Sequence, residues 1–422
     1  MAAALLMGSV VSAGAADDKP KEDQPKEEKS KAAPAVVTAG SDGFVIQSEN
    51  GEYRLQLRGL VQLDARFYPG SDQPLAIDNF LVRRARPIFV GTVGRYFDFN
   101  FTPDFGGGNA VIQDFYVNAK SGPKLQFRAG KFKPPIGVEH LQGDAYLAFP
   151  ERSFPASLEP NRDVGVQLHG EVVGGVVTYA AGVFDGTPDG ASVDQDVNDS
   201  KDAVGRLFLF PFKKGTSALK GLGLGVSGST GKQSGALAVL APYRTAGQVI
   251  FYNYIATAVN PAGTRSRVSP ELSYFGGPFG LLAEYVQSKG RLQKTGTAQF
   301  AELTNEAWQA TGTFFLTGDK AAYGAVNVKK PLDPSKGQWG ALQIAARVNG
   351  FKADPASFTG GYADASKSAE KATAWGAALN WFPNKNFKQS VSYEHTTFEG
   401  GAPKGGDRKA DNTLILRTEF GF

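Results

Sequence analysis

From Gly43 to Phe422 the chain alternates apolar and polar side chains in run after run, and this period of two constrains it more than any motif does. The run YRLQLRGLVQLDARFY, residues 53–68, puts Tyr53, Leu55, Leu57, Gly59, Val61, Leu63, Ala65 and Phe67 on one face. Arg54, Gln56, Arg58, Gln62, Asp64 and Arg66 take the other. At about 3.3 Å per residue such a strand is ~50 Å long, beyond the usual reach of strands in compact domains. RYFDFNFTPDF repeats the pattern, with Phe97, Phe99 and Phe101 opposite Asp98, Asn100 and Thr102. The last run, NTLILRTEFGF, sets Leu414, Leu416, Phe420 and Phe422 against Ile415, Arg417 and Glu419. Two architectures use strands of this kind. A sandwich buries the apolar face in its core, and a barrel in lipid turns that face outward and keeps the charged face wet.

Seventeen alternating runs can be marked, among them 247–256, 268–275, 304–316 and 412–422. Single-chain bacterial barrels have even strand numbers, so the expectation is an all-β transmembrane antiparallel barrel of sixteen strands. Connections alternate short and long: GGVV at 174–177 and FGGPFG at 275–280 are tight turns, while DGTPDGASVDQDVNDSKD at 185–202 is a long acidic loop. Its aspartates lack the spacing and glycine of a calcium loop. GGG at 106–108 has neither GK[ST] nor a following helix, and reads as a turn rather than a phosphate loop.

Composition removes other classes. With no cysteine there is neither a disulfide scaffold nor a thiolate metal site. No stretch of about 18 apolar residues is present to form a membrane helix, which leaves strands as the way across. The formal charge of +4 is small and no recognition helix interrupts the strands, so nucleic acid is not an expected partner. His140, His169 and His395 are far apart, with no HExxH spacing and no GxSxG elbow, so neither an enzyme nor a cofactor is expected.

Ahead of the strands, MAAALLMGSVVSAGA (residues 1–15) reads as a signal peptide without a basic start, which suggests a true start upstream. Residues 16–42, charged and rich in proline, read as a disordered spacer, and the barrel is expected over 43–422.

FLVRRARPIFVGT brings Arg83, Arg84 and Arg86 together within four residues of one strand. A guanidinium facing mid-bilayer lipid costs about 2–4 kcal/mol, so these groups belong on a wet inner wall. Adjacent Arg83 and Arg84 cannot both face inward on a regular strand, and a bulge or a place above the lipid band is required. Arginines along an aqueous wall make a path for anions. The alternative is a set of salt bridges to Asp64, Asp98 and Asp114 that stiffen the wall. The proline-bearing stretch after Phe127, KFKPPIGVEHLQGDAYLAFPERSFPASLEPNRDVG, is long enough to fold inward and narrow the channel. It holds Arg152 and Arg162 beside Glu139, Asp144, Glu151, Glu159 and Asp163.

LQLRGLVQLDARFY, FLVRRARPIFVGTV with YFDFNFTPDFGGG, LQFRAGKFKPPIGVE, PELSYFGGPFGLLAEYV, AWQATGTFFLTGD, GALQIAARV, AALNWFPN and the aromatic end together resemble the phosphate-selective porin O and P family. The resemblance implies a sixteen-stranded, trimeric outer-membrane barrel in lipid, whose inward third loop shapes a channel for phosphate, polyphosphate or related anions. It implies Arg58, Arg83, Arg84, Arg152 and Asp114 as pore-lining or anion-binding groups, to which the residues themselves add Arg54 on the wall and Lys131 and Lys133 just before the loop. It also implies recognition of terminal Phe422 by the barrel-assembly machinery. Phosphate-binding members carry a lysine inside the constriction loop, whereas here no lysine lies between Pro134 and Asp163 and the nearest are Lys131 and Lys133. Anion diffusion is the leading expectation. A broad or sugar-like porin is the second, and a secreted β-sandwich binding module is the alternative from another class.

Overall fold

The computed structural model describes residues 35–70, 77–196, 198–234 and 240–422, and in them the alternation becomes sixteen antiparallel strands closed into a barrel. They begin with β1 (Tyr53–Phe67), β2 (Asn79–Val93), β3 (Phe97–Asp104), β4 (Val111–Lys120), β5 (Gln126–Phe132) and β6 (Asp163–Val172). Next come β7 (Val177–Phe184), β8 (Asp202–Leu209), β9 (Leu222–Ser234), β10 (Val259–Gly276) and β11 (Phe279–Lys294). The wall is completed by β12 (Phe300–Phe315), β13 (Ala341–Lys352), β14 (Ala369–Asn384), β15 (Phe387–Gly400) and β16 (Asp411–Gly421). Each strand pairs with the next, and β16 returns to β1 in the register Leu416 to Ala65 and Phe420 to Val61. Closure leaves no edge with unpaired backbone groups, the condition for sheet in hydrocarbon.

The two faces are inverted relative to a soluble protein. Val61 and Leu63 are exposed outside while Gln62, Asp64 and Arg66 are buried inside. Across β2, β3 and β4 the rings of Phe89, Phe101 and Phe115 form an outer row, with centroids 5.9 and 5.7 Å apart. Exposed phenylalanines and buried arginines on the same strands suit a lipid exterior around an aqueous lumen.

Three features depart from the sequence reading. The expected signal peptide and the spacer up to residue 34 lie outside the described residues, but the spacer's expected end at 42 is too late. Ala35–Gly40 is a strand paired with Gly43–Ser48, which pairs in turn with Arg54–Leu57 of β1. This hairpin accounts for the length of β1, whose upper part pairs with β16 and whose lower part pairs with the hairpin. The run at 247–256 is the surplus seventeenth. Only Ile250–Tyr252 is strand, paired with Tyr243–Arg244 in a loop, because Val249, Phe251 and Tyr252 are all buried and the segment has no polar face. Finally, one connection at the turn end is long: residues 316–340 fold back so that Ala322, Ala325 and Val326 line the lumen.

At the seam, Gly59 and Phe422 exchange both backbone hydrogen bonds, at 3.0 and 3.1 Å. The Phe422 ring meets Phe44 and Phe420 edge-on or tilted, at 5.9 and 5.7 Å, and occupies the space a Cβ at residue 59 would need, 2.7 Å away. Phe422→Ala should therefore cost about 2 kcal/mol. The expected sign is a lower temperature for conversion of the folded to the unfolded band on detergent gels, and an unchanged temperature would show that the ring does not hold the seam.

Candidate functional site

The adjacent arginines are resolved by a bulge. Gln62 of β1 lies opposite Arg84 of β2, but the next residue, Leu63, lies opposite Val82, so Arg83 is the unpaired extra residue. Arg84 and Arg86 consequently point into the lumen, Val82 stays outside, and Arg83 turns inward from the bulge to pair with Glu151. The link between β3 and β4 crosses this bulge closely. A Cβ on Gly106 would stand 2.5 Å from the Arg83 carbonyl oxygen and 2.7 Å from the Arg84 Cα, both backbone atoms.

The loop of residues 133–162 lies inside the lumen, held chiefly through two acids. Glu151 accepts from Arg83 at 2.6 Å, Arg66 at 2.8 Å and Arg417 at 3.0 Å. Asp144 pairs with Arg152 at 2.6 Å, with Arg84 at 3.3 Å and with Arg86. Burial works against ionisation, yet Arg84, Arg152 and Arg86 hold the Asp144 carboxyl well below the usual carboxylate range. Arg83 and Arg417 do the same for Glu151 against its burial. The loop backbone is tied to the far wall as well. Arg347 of β13 donates to the Glu151 carbonyl at 2.9 Å, Asn380 of β14 to the Ala148 carbonyl at 2.9 Å, and Lys388 of β15 to the Ala145 carbonyl at 3.1 Å.

From the turn end, the 316–340 segment reaches the same loop. The Tyr323 hydroxyl donates to the Val138 carbonyl at 2.7 Å, and the Gln142 amide donates to the Tyr323 carbonyl at 2.8 Å. On the opposite side a cluster of Tyr243, Phe251, Tyr252 and Tyr254 packs with Phe154, Leu158, Phe351 and Phe398. This apolar mass fills the lumen against β10–β15 and leaves the β1–β5 wall for passage.

The open space has an outer chamber of about 670 Å³ toward the long loops and an inner chamber of about 470 Å³ toward the short turns. Arg86 and Arg162 line both. Arg83, Arg84 and Arg152 line the outer chamber, whereas Arg58, Asp114 and Lys133 line the inner one. Lys133 donates to the His140 and Gln142 carbonyls at 2.6 and 3.1 Å, so it does approach the loop. Lys131 does not reach the lumen and pairs with Asp194 of the 185–202 loop. Arg54 lies in the hairpin-paired part of β1, bonded to Gln56 at 2.9 Å, and lines neither chamber. Arg162 stands 3.7 Å from Asp114, and Asp98 is paired with Lys120 instead.

The sequence places five acids in or beside the loop, and the structure shows the surroundings of each of them. Asp144 and Glu151 are paired as above. Glu139 accepts from the Ser153 amide at 2.9 Å and lies 3.5 Å from Arg347. Asp163 accepts from the Gly186 and Thr187 amides at 2.9 and 2.8 Å. Burial, then Glu284, Glu271 and Glu139, push the Glu159 carboxyl well above the usual range. The clamps Arg347 and Arg417 were missed as site residues, although Arg417 stands on the polar face of the last run.

A family model for phosphate-selective porin O and P matches residues 55–422. The chain belongs to that family. The porin is similar in fold to the outer membrane channel DcaP of Acinetobacter baumannii, at 12% identity and TM-score 0.58, over 91% of this chain and 100% of that one. It is also similar to an anion-selective porin from Comamonas acidovorans, at 11% identity and TM-score 0.53, over 88% and 100% of the two chains. A trimer form of OmpT from Vibrio cholerae matches at 12% identity and TM-score 0.52, over 88% and 99%. A search of curated proteins finds no match. The protein is thus an outer-membrane porin of bacteria, a channel by family and fold.

The bulge gives a direct test. Gly106→Val forces backbone apart and should cost roughly 1–3 kcal/mol, as overpacking does. Heat conversion on detergent gels should shift downward for this variant and stay put for Gly312→Val, where a side chain meets open space. Equal behaviour of the two would mean that the Arg83 bulge is not braced by the 106–108 turn.

Proposed function

We propose that this porin conducts small anions by passive diffusion along the arginine wall. One observation carries the reading. In the inner chamber seven basic side chains meet four acidic ones, and each acid has a cation partner: Asp42 with Lys385, Asp114 with Arg162, Asp144 with three arginines, Glu419 with Lys388. Arg58 and Arg128 have no carboxylate partner among the described residues, and guanidinium groups stay charged at every accessible pH. A surplus of fixed positive charge in a confined aqueous path favours anions over cations. The anion-selective relative supports the reading by fold alone, and the trimer form of OmpT supports a homotrimer in the same way.

Phosphate is expected to be a weakly held passenger. The Arg83 and Arg84 pair, which a phosphate would need, is already engaged by Glu151 and Asp144. At 4 Å an unengaged unit charge gains only ~1 kcal/mol in water and about 4 kcal/mol at the effective dielectric near protein. The purified porin in planar bilayers under a salt gradient should give a reversal potential of anion preference. Phosphate should half-block the chloride current only at millimolar levels or above, a binding energy of roughly 4 kcal/mol or less. Cation preference would overturn the reading, and micromolar block would overturn its weak-binding part.

A further inference from the structure

Beside the inner chamber, between β5–β8 and the underside of the constriction loop, a recess of about 380 Å³ opens past Arg128, Lys133 and Leu141. That volume lies within the size range of small-molecule sites, which run from about 300 to 1,000 Å³. Its charged anchor is Arg128, whose guanidinium sits 4.3 Å over the Tyr116 ring and 5.3 Å from the Phe132 ring. Stacking fixes the plane of the fork without occupying its outer N–H groups. Arg206, the other arginine here, is paired with Glu271 at 2.6 Å. The walls are neutral and polar: Gln126, Gln167, His169 and Thr178. His169 is bonded to Asn118 at 2.8 Å, and the Asn118 amide donates to the Gln126 side-chain oxygen Oε1 at 2.8 Å. The side-chain oxygen of Gln167 is buried without a hydrogen-bond partner among the described residues, Thr178 lines the wall beside it, and Glu171 stands at the rim.

Chloride would use only the charge of such a place. Amide and hydroxyl groups next to an unpaired guanidinium complement a solute that brings an oxyanion and hydroxyl groups together, since both wall groups can donate and accept. We propose that the recess is a binding site for hydroxylated oxyanions, with sugar monophosphates as the class whose size and groups fit it. This deepens the anion-diffusion reading and rests on it. The oxyanion lies against Arg128, and the hydroxyl groups reach Gln167 and Thr178. Binding is loose, because a solute in transit must leave as readily as it enters.

The test is block of chloride current through full-length channels by glucose 6-phosphate, inorganic phosphate and glucose at one pH. Glucose 6-phosphate should half-block at about tenfold lower concentration than phosphate, a difference near 1.4 kcal/mol, and glucose should not block. Arg128→Gln should raise the glucose 6-phosphate value about tenfold. Gln167→Leu with Thr178→Val should bring the values for the two phosphates together. If Arg128→Gln does not fold, Arg128→Lys keeps the charge, loses the fork, and should fall between parent and Gln. Equal block by the two phosphates in the parent channel overturns the site, as does a persistent difference after the Gln167 and Thr178 changes. Reversal potentials on the same channels separate the levels. Retained anion preference without discrimination overturns the recess alone, and cation preference overturns the reading beneath it.

Discussion

Two loop carboxylates surrounded by guanidinium groups hold the working part of this barrel. Six arginines from three strands and the loop itself converge on Asp144 and Glu151. Asp64 and Asp104 share some of them. An isolated charge in such a place would be too costly to keep, and removing one partner of a buried pair typically costs about 3–5 kcal/mol. The network therefore fixes the loop inside the lumen and has a second effect, because arginines engaged with the loop are less available to a passing ion. The residues that a resemblance would single out as the anion site, Arg83 and Arg84, act here first as clamps.

Permeation is thereby displaced from the middle of the barrel toward what remains uncovered. The tyrosine and phenylalanine cluster closes the β10–β15 side, and the 316–340 segment braces the loop from the turn end through Tyr323. Arg58 and Arg128, without acidic partners among the described residues, lie in the inner chamber, past the narrow part where Arg86 and Arg162 face both spaces. Under the proposed function, selection by charge follows the clamp rather than coinciding with it.

Much of this was legible in the chain. Period-two alternation marked every wall strand, because lipid on one side and water on the other impose it directly. Two adjacent arginines demanded either a bulge or a place above the lipid band, since a strand cannot aim both inward, and the structure takes the first course at Arg83. What stayed hidden depends on distant partners. Nothing local tells that Glu151 will meet Arg66 and Arg417, which are 85 and 266 residues away in sequence. The 250–252 segment looked like a wall strand because alternation cannot distinguish lipid from an aromatic plug. The reach of 316–340 into the lumen left only a weak sign, an unpatterned stretch bearing glycine, proline and lysine between two runs. Lys133 and Lys131 were indistinguishable by position, since residues two apart share a face on a continuing strand, but β5 ends at Phe132, so Lys131 stays on the wall and pairs with Asp194 while Lys133 turns into the loop.

Neutralising the two loop acids together, Asp144→Asn with Glu151→Gln, and reading the reversal potential of the folded channel tests the clamp most directly. Releasing six arginines from their loop partners should move the potential further toward ideal anion selectivity and raise the conductance. A potential and conductance equal to those of the parent channel, in barrels with the normal folded band, would contradict the account.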